Sequence, residues 1–151
     1  MNNALRVVVG SDEAGYEYKQ RIKTDLQSDS RVSEVIDVDA DRDTNYPTVA
    51  IQAAEMIARG AADRAILICG TGLGVAIAAN KVKGVRAATA HDSYSVERSV
   101  LSNNAQILCM GQRVIGIELA RKLVHEWLGY TFDAASPSNA KIGEINSYEA
   151  H

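Results

Sequence analysis

The sequence predicts an α/β domain: a five-stranded parallel sheet with helices packed on both faces. Two observations predict it. Short apolar runs alternate along the chain with stretches of helical spacing, the rhythm of repeated strand–helix–strand units. The run "RAILIC" is apolar throughout rather than alternating, as a strand buried on both faces should be. Connections between such strands are right-handed.

Taken in order, "LRVVVG" (Leu5 to Gly10) is the first strand, stopped by "SDEAG". Tyr16 to Leu26 is polar with helical spacing. "VSEVIDV" (Val32 to Val38) alternates and reads as the second strand. "DADRDTNYP" is a loop whose Pro47 suits the first turn of the next helix. That helix, "TVAIQAAEMIARG", is alanine-rich and closed by Gly60. "RAILIC" follows as strand three, then a glycine loop and a small-residue helical pattern. Gly84 to Ala90 is expected as strand four, "SYSVERSVLS" as a helix and "AQILCMG" as strand five. The helix "IGIELARKLVHEWLG" should turn Ile117, Leu119, Ala120, Leu123, Val124 and Trp127 inward. The polar tail after Gly129 is expected to reach a partner subunit or to end in a short helix.

Composition narrows the function classes. A chain of 151 residues suits one domain. Hydrophobic residues at 46% and charged residues at 23% describe a soluble globular protein. A net charge of -3 gives no general reason to expect nucleic acid or an acidic membrane as partner. No apolar stretch reaches spanning length, and the N-terminus lacks a charged-then-apolar signal pattern. The two cysteines, Cys69 and Cys109, each end an apolar run. They do not form a disulfide scaffold, which points to a reducing cytoplasm.

In open parallel sheets the ligand sits at the carboxyl ends of the strands. Those ends are Gly10 to Glu13, Cys69 to Thr71, Ala90 to Asp92 and Met110 to Arg113. Cys69 enters Gly70-Thr71-Gly72-Leu73-Gly74 where a helix begins. Free N–H groups there would stabilise a thiolate, or an oxyanion forming beside it. A small buried thiol is the alternative, and it fits Cys109 better. The loop matches a dinucleotide fingerprint only loosely and lacks the Gly-Lys-Ser/Thr of a Walker loop. Asp12 and Glu13 suit a helix cap or the hydroxyls of a polyol. Arg113 suits a phosphate or open solvent. Of the three histidines, His91 alone ends a strand at the expected site. His125 belongs on the outer edge of the last amphipathic helix, and His151 is terminal.

"GSDEAG", "NYP", "ILICGTGLGVAIAANKVKGVRAA", "YS" and "SNNAQILCMGQRVIGIELA" together resemble the ribose-5-phosphate isomerase B and galactose-6-phosphate isomerase family. The resemblance runs through almost the whole chain in the same order. It implies a Rossmann-like three-layer sandwich, a homodimer or tetramer with sites at the subunit interface, and no metal or nucleotide cofactor. It implies aldose–ketose isomerisation of a sugar phosphate through a cis-enediolate. By that likeness Cys69 moves the proton between C1 and C2 and Thr71 assists it. The amides from Gly70 through Gly72 to Gly74 hold the enediolate. Asp12 and Tyr46 meet hydroxyls, Asn103 meets the carbonyl end, and Arg113 with a basic residue of the partner's tail holds the phosphate.

Three positions depart from the family pattern. Glu13 stands where the family has a phosphate-binding histidine, and a carboxylate would repel phosphate. The tail holds no arginine and one lysine, Lys141, a point charge without a bidentate fork. Ser102 stands where the pentose isomerases carry the histidine that opens the furanose ring, and serine cannot cycle a proton near neutral pH. A tetrose 4-phosphate cannot close a furanose, because its C4 oxygen is esterified, so it needs no ring-opening acid. "AHDSYSVERSVLSNNAQ" also looks like a branch of the family associated with tetritol catabolism. The main expectation is thus a ribose-5-phosphate isomerase B-like enzyme, with erythrose and erythrulose 4-phosphate as the alternative pair. The pentose reading requires His91 to take over ring opening. A non-catalytic phosphate- or nucleotide-binding domain, and an inactive relative, are the competing classes.

Overall fold

The computed structural model describes residues 4–39 and 44–151. Five strands form one parallel sheet: β1 (Leu5–Ser11), β2 (Val32–Asp37), β3 (Arg64–Cys69), β4 (Ala87–Thr89) and β5 (Ile107–Gly111), in the order β2-β1-β3-β5-β4. Six α-helices accompany them: α1 (Tyr16–Gln27), α2 (Tyr46–Ala58), α3 (Leu73–Ala79), α4 (Ser93–Leu101), α5 (Ile117–Leu128) and α6 (Ser138–Glu149). The sandwich is therefore the expected one. The strand order reverses between β1 and β3, and that crevice is where such sheets take ligands.

Alternation along the central strands divides the core. Val7, Val9, Ile66, Ile68, Leu108 and Met110 face the layer of α1, α4 and α5. Val8, Ala65, Leu67, Cys69, Ile107 and Cys109 face the layer of α2 and α3. Successive strand side chains point to opposite faces, so both layers draw on the same five-residue runs. Each fully buried Val, Leu or Ile contributes about 1.5–3 kcal/mol. β3 is buried from Ala65 onward, which makes its end a firm base for the loop that follows.

Several expectations need correction. Strand four is three residues long, not the run from Gly84 to Ala90. Gly84 has φ +83° and Val85 closes a turn onto Val82, so the chain extends only at Ala87. Strand five begins at Ile107 rather than Ala105. Leu119 is 40% exposed; the buried stripe of α5 is Ala120, Leu123, Val124, Trp127 and Leu128. Part of the expected loop after Val38 lies outside the described residues. The tail ends in the twelve-residue α6, whose one buried residue is Ile142. Arg64 ties the start of the tail by donating to the carbonyls of Trp127 and Tyr130. Gly84 N–H donates to Glu149 at its end.

Lys19 is wholly buried on α1. Its Nζ meets Asp37 Oδ1 at 3.0 Å and the Asp39 carbonyl at 2.6 Å. Burial pushes the Asp37 carboxyl up, but bonds from Lys19, the Asp39 N–H and Lys23 outweigh it and hold it below its usual range. No helix among the described residues is long and apolar enough to cross a membrane.

Candidate active site

The loop after β3 turns sharply because Gly72 adopts φ +77°, a region open to glycine without penalty. A Cβ there would also stand 2.7 Å from the Met110 carbonyl carbon. Glycine thus lets the loop press against the end of β5. The turn aims the Gly72 N–H back at Cys69 Sγ, 3.1 Å away. Thr71 Oγ1 accepts from the Leu73 N–H at 3.2 Å, and Thr89 Oγ1 donates to the Gly72 carbonyl at 2.6 Å. Cys69 is 5% exposed, while Thr71 stands in solvent beside it. Cys109, on the same face, is fully enclosed, and burial pushes its thiol far up. Both cysteines are free. Only Cys69 has an N–H aimed at its sulfur and an exposed loop next to it.

The groups around this loop come from β1, α2 and β5. Asp12 Oδ1 accepts the Gly15 N–H at 3.1 Å, capping the short 3-10 turn Glu13–Gly15. The cap reading of Asp12 is therefore realised, with one carboxylate oxygen left over. Glu13 is exposed. The ring of Tyr46 lies directly on Gly74, where any side chain would collide with it. Arg113 donates its N–H to the Gly70 carbonyl at 3.0 Å. Its Nη1 lies 3.1 Å from where a Gly70 Cβ would stand. Among the described residues the Arg113 guanidinium has no ion-pair partner. A cleft of about 860 Å³ opens between Asp12, Glu13, Asn45, Gln112 and Arg113. A second cavity, about 720 Å³, lies between α1 and α5. Its arginines are already taken, Arg31 by Asp29 and Arg121 by Asp25, and its Lys122 lies 3.9 Å from Glu126.

Gln112 was not among the expected site residues. Its Oε1 accepts the Tyr18 N–H at 3.2 Å and its own N–H donates to the Cys69 carbonyl at 2.9 Å. Its place at a strand's carboxyl end was the available signal. Among the described residues no group of three His, Cys, Asp or Glu is arranged to hold a metal ion.

His91 ends the β4 segment, and its Nε2 accepts the Gly111 N–H at 2.9 Å. Burial lowers its pKa from the usual 6.5, against the opposing pull of Asp92. The ring is therefore a neutral acceptor committed to the backbone.

Ser102, Asn103 and Lys141 are not gathered at this loop. Ala65 N–H bonds to the Gln106 carbonyl, and Cys69 pairs with Gly111. Residues 102 and 103 therefore precede the amino end of β5. Cys69 is four residues further along the sheet than Ala65, about 13 Å at ~3.3 Å per residue. Ser102 Oγ accepts from Arg98 Nη1 at 3.2 Å, and Asn103 Nδ2 donates to the Arg98 carbonyl at 3.1 Å. Lys141 is exposed on α6.

Comparison with known proteins shows the family. A protein of Mycolicibacterium smegmatis named D-erythrulose-4-phosphate isomerase 2 is 64% identical over 149 residues, covering 97% of this chain and 98% of that one. A D-erythrulose-4-phosphate isomerase of Pectobacterium atrosepticum is 41% identical, covering 97% and 99%. The ribose-5-phosphate isomerase B structure from Clostridium thermocellum superposes with a TM-score of 0.90 at 39% identity, covering 97% and 98%. The family model for ribose/galactose isomerases matches residues 7–145. With the Cys69 loop, the parallel sheet and these likenesses together, the chain belongs to the ribose/galactose isomerase family of sugar-phosphate isomerases.

Proposed function

We propose that the protein interconverts the aldose and ketose forms of a tetrose 4-phosphate, the erythrose and erythrulose pair. Cys69 is the base in this reading. It takes the proton from the carbon next to the carbonyl and returns it to the neighbouring carbon, so the step needs no outside oxidant or reductant. The N–H of Gly72 favours negative charge on the sulfur. Thr71 and the loop amides not already bonded to Cys69 Sγ or Thr71 Oγ1 support the enediolate oxygens. Arg113, poised over Gly70 without an ion-pair partner among the described residues, receives the phosphate. Asp12 and Tyr46 meet hydroxyls, and Glu13 suits a hydroxyl better than the phosphate.

The observation that carries the choice of substrate is Ser102. It stands where a ring-opening histidine is expected, and His91 has its Nε2 taken up by the Gly111 N–H. An acyclic substrate needs neither. The names of the relatives at 64% and 41% identity support the same choice. Side-by-side kinetics with D-erythrulose 4-phosphate and D-ribulose 5-phosphate test it. A kcat/KM at least tenfold higher on the tetrose is expected; the reverse preference would replace this substrate with the pentose.

A second copy of the chain completes the site in this proposal. Leu73 and Ile77, one turn apart on α3, are 57% and 63% exposed, and Ile145 and Tyr148 on α6 are 49% and 82% exposed. An isologous pairing through α3 would antiparallel-align the two helices and bring the 102–103 rim of one copy toward Cys69 of the other. Asn103 and Lys141 would then act across the interface. A cytoplasmic location belongs to the same reading, since a reducing compartment keeps both thiols free.

A further inference from the structure

The ends of β3 and β5 are laced together by Gln112 N–H on the Cys69 carbonyl and Arg113 N–H on the Gly70 carbonyl. The Gly111 N–H just before them points the other way, toward β4, after which the Ala90 N–H still bonds the Cys109 carbonyl. In a regular parallel ladder the next backbone carbonyl of β4 would accept it. Here β4 has already ended at Thr89, and the His91 ring supplies the acceptor instead, at 2.9 Å. A Cβ on Gly111 would stand 2.5 Å from the Thr71 carbonyl carbon, so the loop backbone packs directly against this glycine. One glycine is thus held between the imidazole and the catalytic loop, two residues before Arg113.

We propose that His91 is a positioning residue: its neutral ring pins Gly111 and so sets Arg113 over the Gly70–Gly74 loop, and protonation of the ring loosens the anion site. A donor N–H requires an unprotonated ring nitrogen opposite it. Imidazolium carries N–H on both nitrogens and cannot accept. Its burial already favours the neutral form. Asp92, the neighbouring carboxylate, is occupied as the α4 cap, accepting the Ser95 N–H at 2.7 Å. From β5 the nearest charge along the chain is Arg113. From α5 it is Glu126, which accepts from Ser93 Oγ. The role rests on the proposed function in one respect, that Arg113 and the loop bind the sugar phosphate.

Three variants and one spectrum test it. His91→Gln keeps an acceptor at the Nε2 position but does not titrate; His91→Leu removes it. For His91→Leu we expect the KM for sugar phosphate and the Kd for inorganic phosphate to rise about tenfold, with kcat falling less. His91→Gln should restore both to within about threefold and abolish the acid-side rise in KM expected of the wild type. His91→Phe should behave as Leu. In the wild type, the Gly111 amide resonance should move with the same midpoint as the His91 ring protons. Unchanged phosphate affinity in His91→Leu, or a Gly111 amide that ignores the ring's titration, overturns the proposal. If the Leu variant fails to fold, the Gln variant and the wild-type titration still decide. The amide and phosphate measurements need no turnover, so their failure is distinct from absence of isomerase activity.

Discussion

The backbone N–H of Gly72 points at the sulfur of Cys69 from 3.1 Å. This places a donor on the group proposed to move the proton, and among the described residues no N–H is aimed at the Cys109 sulfur. Cys69→Ala should lower kcat by about 10²–10⁴-fold, the usual worth of a positioned base. Inorganic phosphate should still bind, since Arg113 and the loop backbone remain. Iodoacetate should inactivate the wild type, and sugar phosphate should protect it.

Gly74 and Tyr46 touch face to face, with no space for a methyl group between them. Gly74→Ala must therefore displace the ring. KM is expected to rise about fivefold or more, because the ring proposed to meet a substrate hydroxyl would no longer lie where it is needed. Combining Gly74→Ala with Tyr46→Ala should add little to either single change, as expected for residues in contact. Full additivity in the double variant would show that the contact has no bearing on binding.

Lys19→Met leaves Asp37 in a buried position with Lys23 as its remaining cationic partner among the described residues. Breaking a buried pair from one side costs about 3–5 kcal/mol. The surviving Lys23 contact argues for the lower end. Urea unfolding followed by circular dichroism would read the loss. A change below about 1 kcal/mol would mean that the buried ammonium adds nothing net.

His91 links stability to pH. Its folded pKa lies below the unfolded 6.5, so the unfolded chain binds the proton more readily between those values. Stability should be fully present above 6.5 and fall as the pH drops through that window. His91→Gln should flatten this slope while leaving the rest of the acid unfolding curve in place. Denaturant midpoints at several pH values would measure it.

Ile77→Glu puts a charge into the exposed apolar stripe of α3. If two copies meet there, sedimentation should show monomers and activity should fall with the loss of the dimer. A monomer that keeps full turnover would remove the shared-site reading.

Much of the fold was legible because β1, β3 and β5 are apolar runs of the right length, and the glycine loop marked the start of α3. β4 was overread: its apolar letters continue back to Val85, but the positive φ of Gly84 and the turn at Val85 leave only three extended residues. Leu119 was misplaced because helical spacing alone cannot separate a buried stripe from an apolar residue on its flank. The outward Leu73 and Ile77 of α3 became visible only with the sheet in place. At the site, the strand-end rule reached Asp12, Cys69, His91 and Arg113. It could not tell that His91 serves the backbone, since that depends on where β4 stops. The positions of Ser102 and Asn103 followed from which end of β5 they precede, a question of topology more than of residue type.

On the proposed function, the distance along the sheet between Cys69 and the 102–103 rim would separate chemistry from selectivity in one polypeptide. In a two-fold assembly each working centre would be assembled from the carboxyl rim of one copy and the amino rim of the other. Two inactive variants, Cys69→Ala and Asn103→Ala, would then complement each other when their subunits are reshuffled. Random exchange would restore about a quarter of the centres, and neither parent alone would recover any.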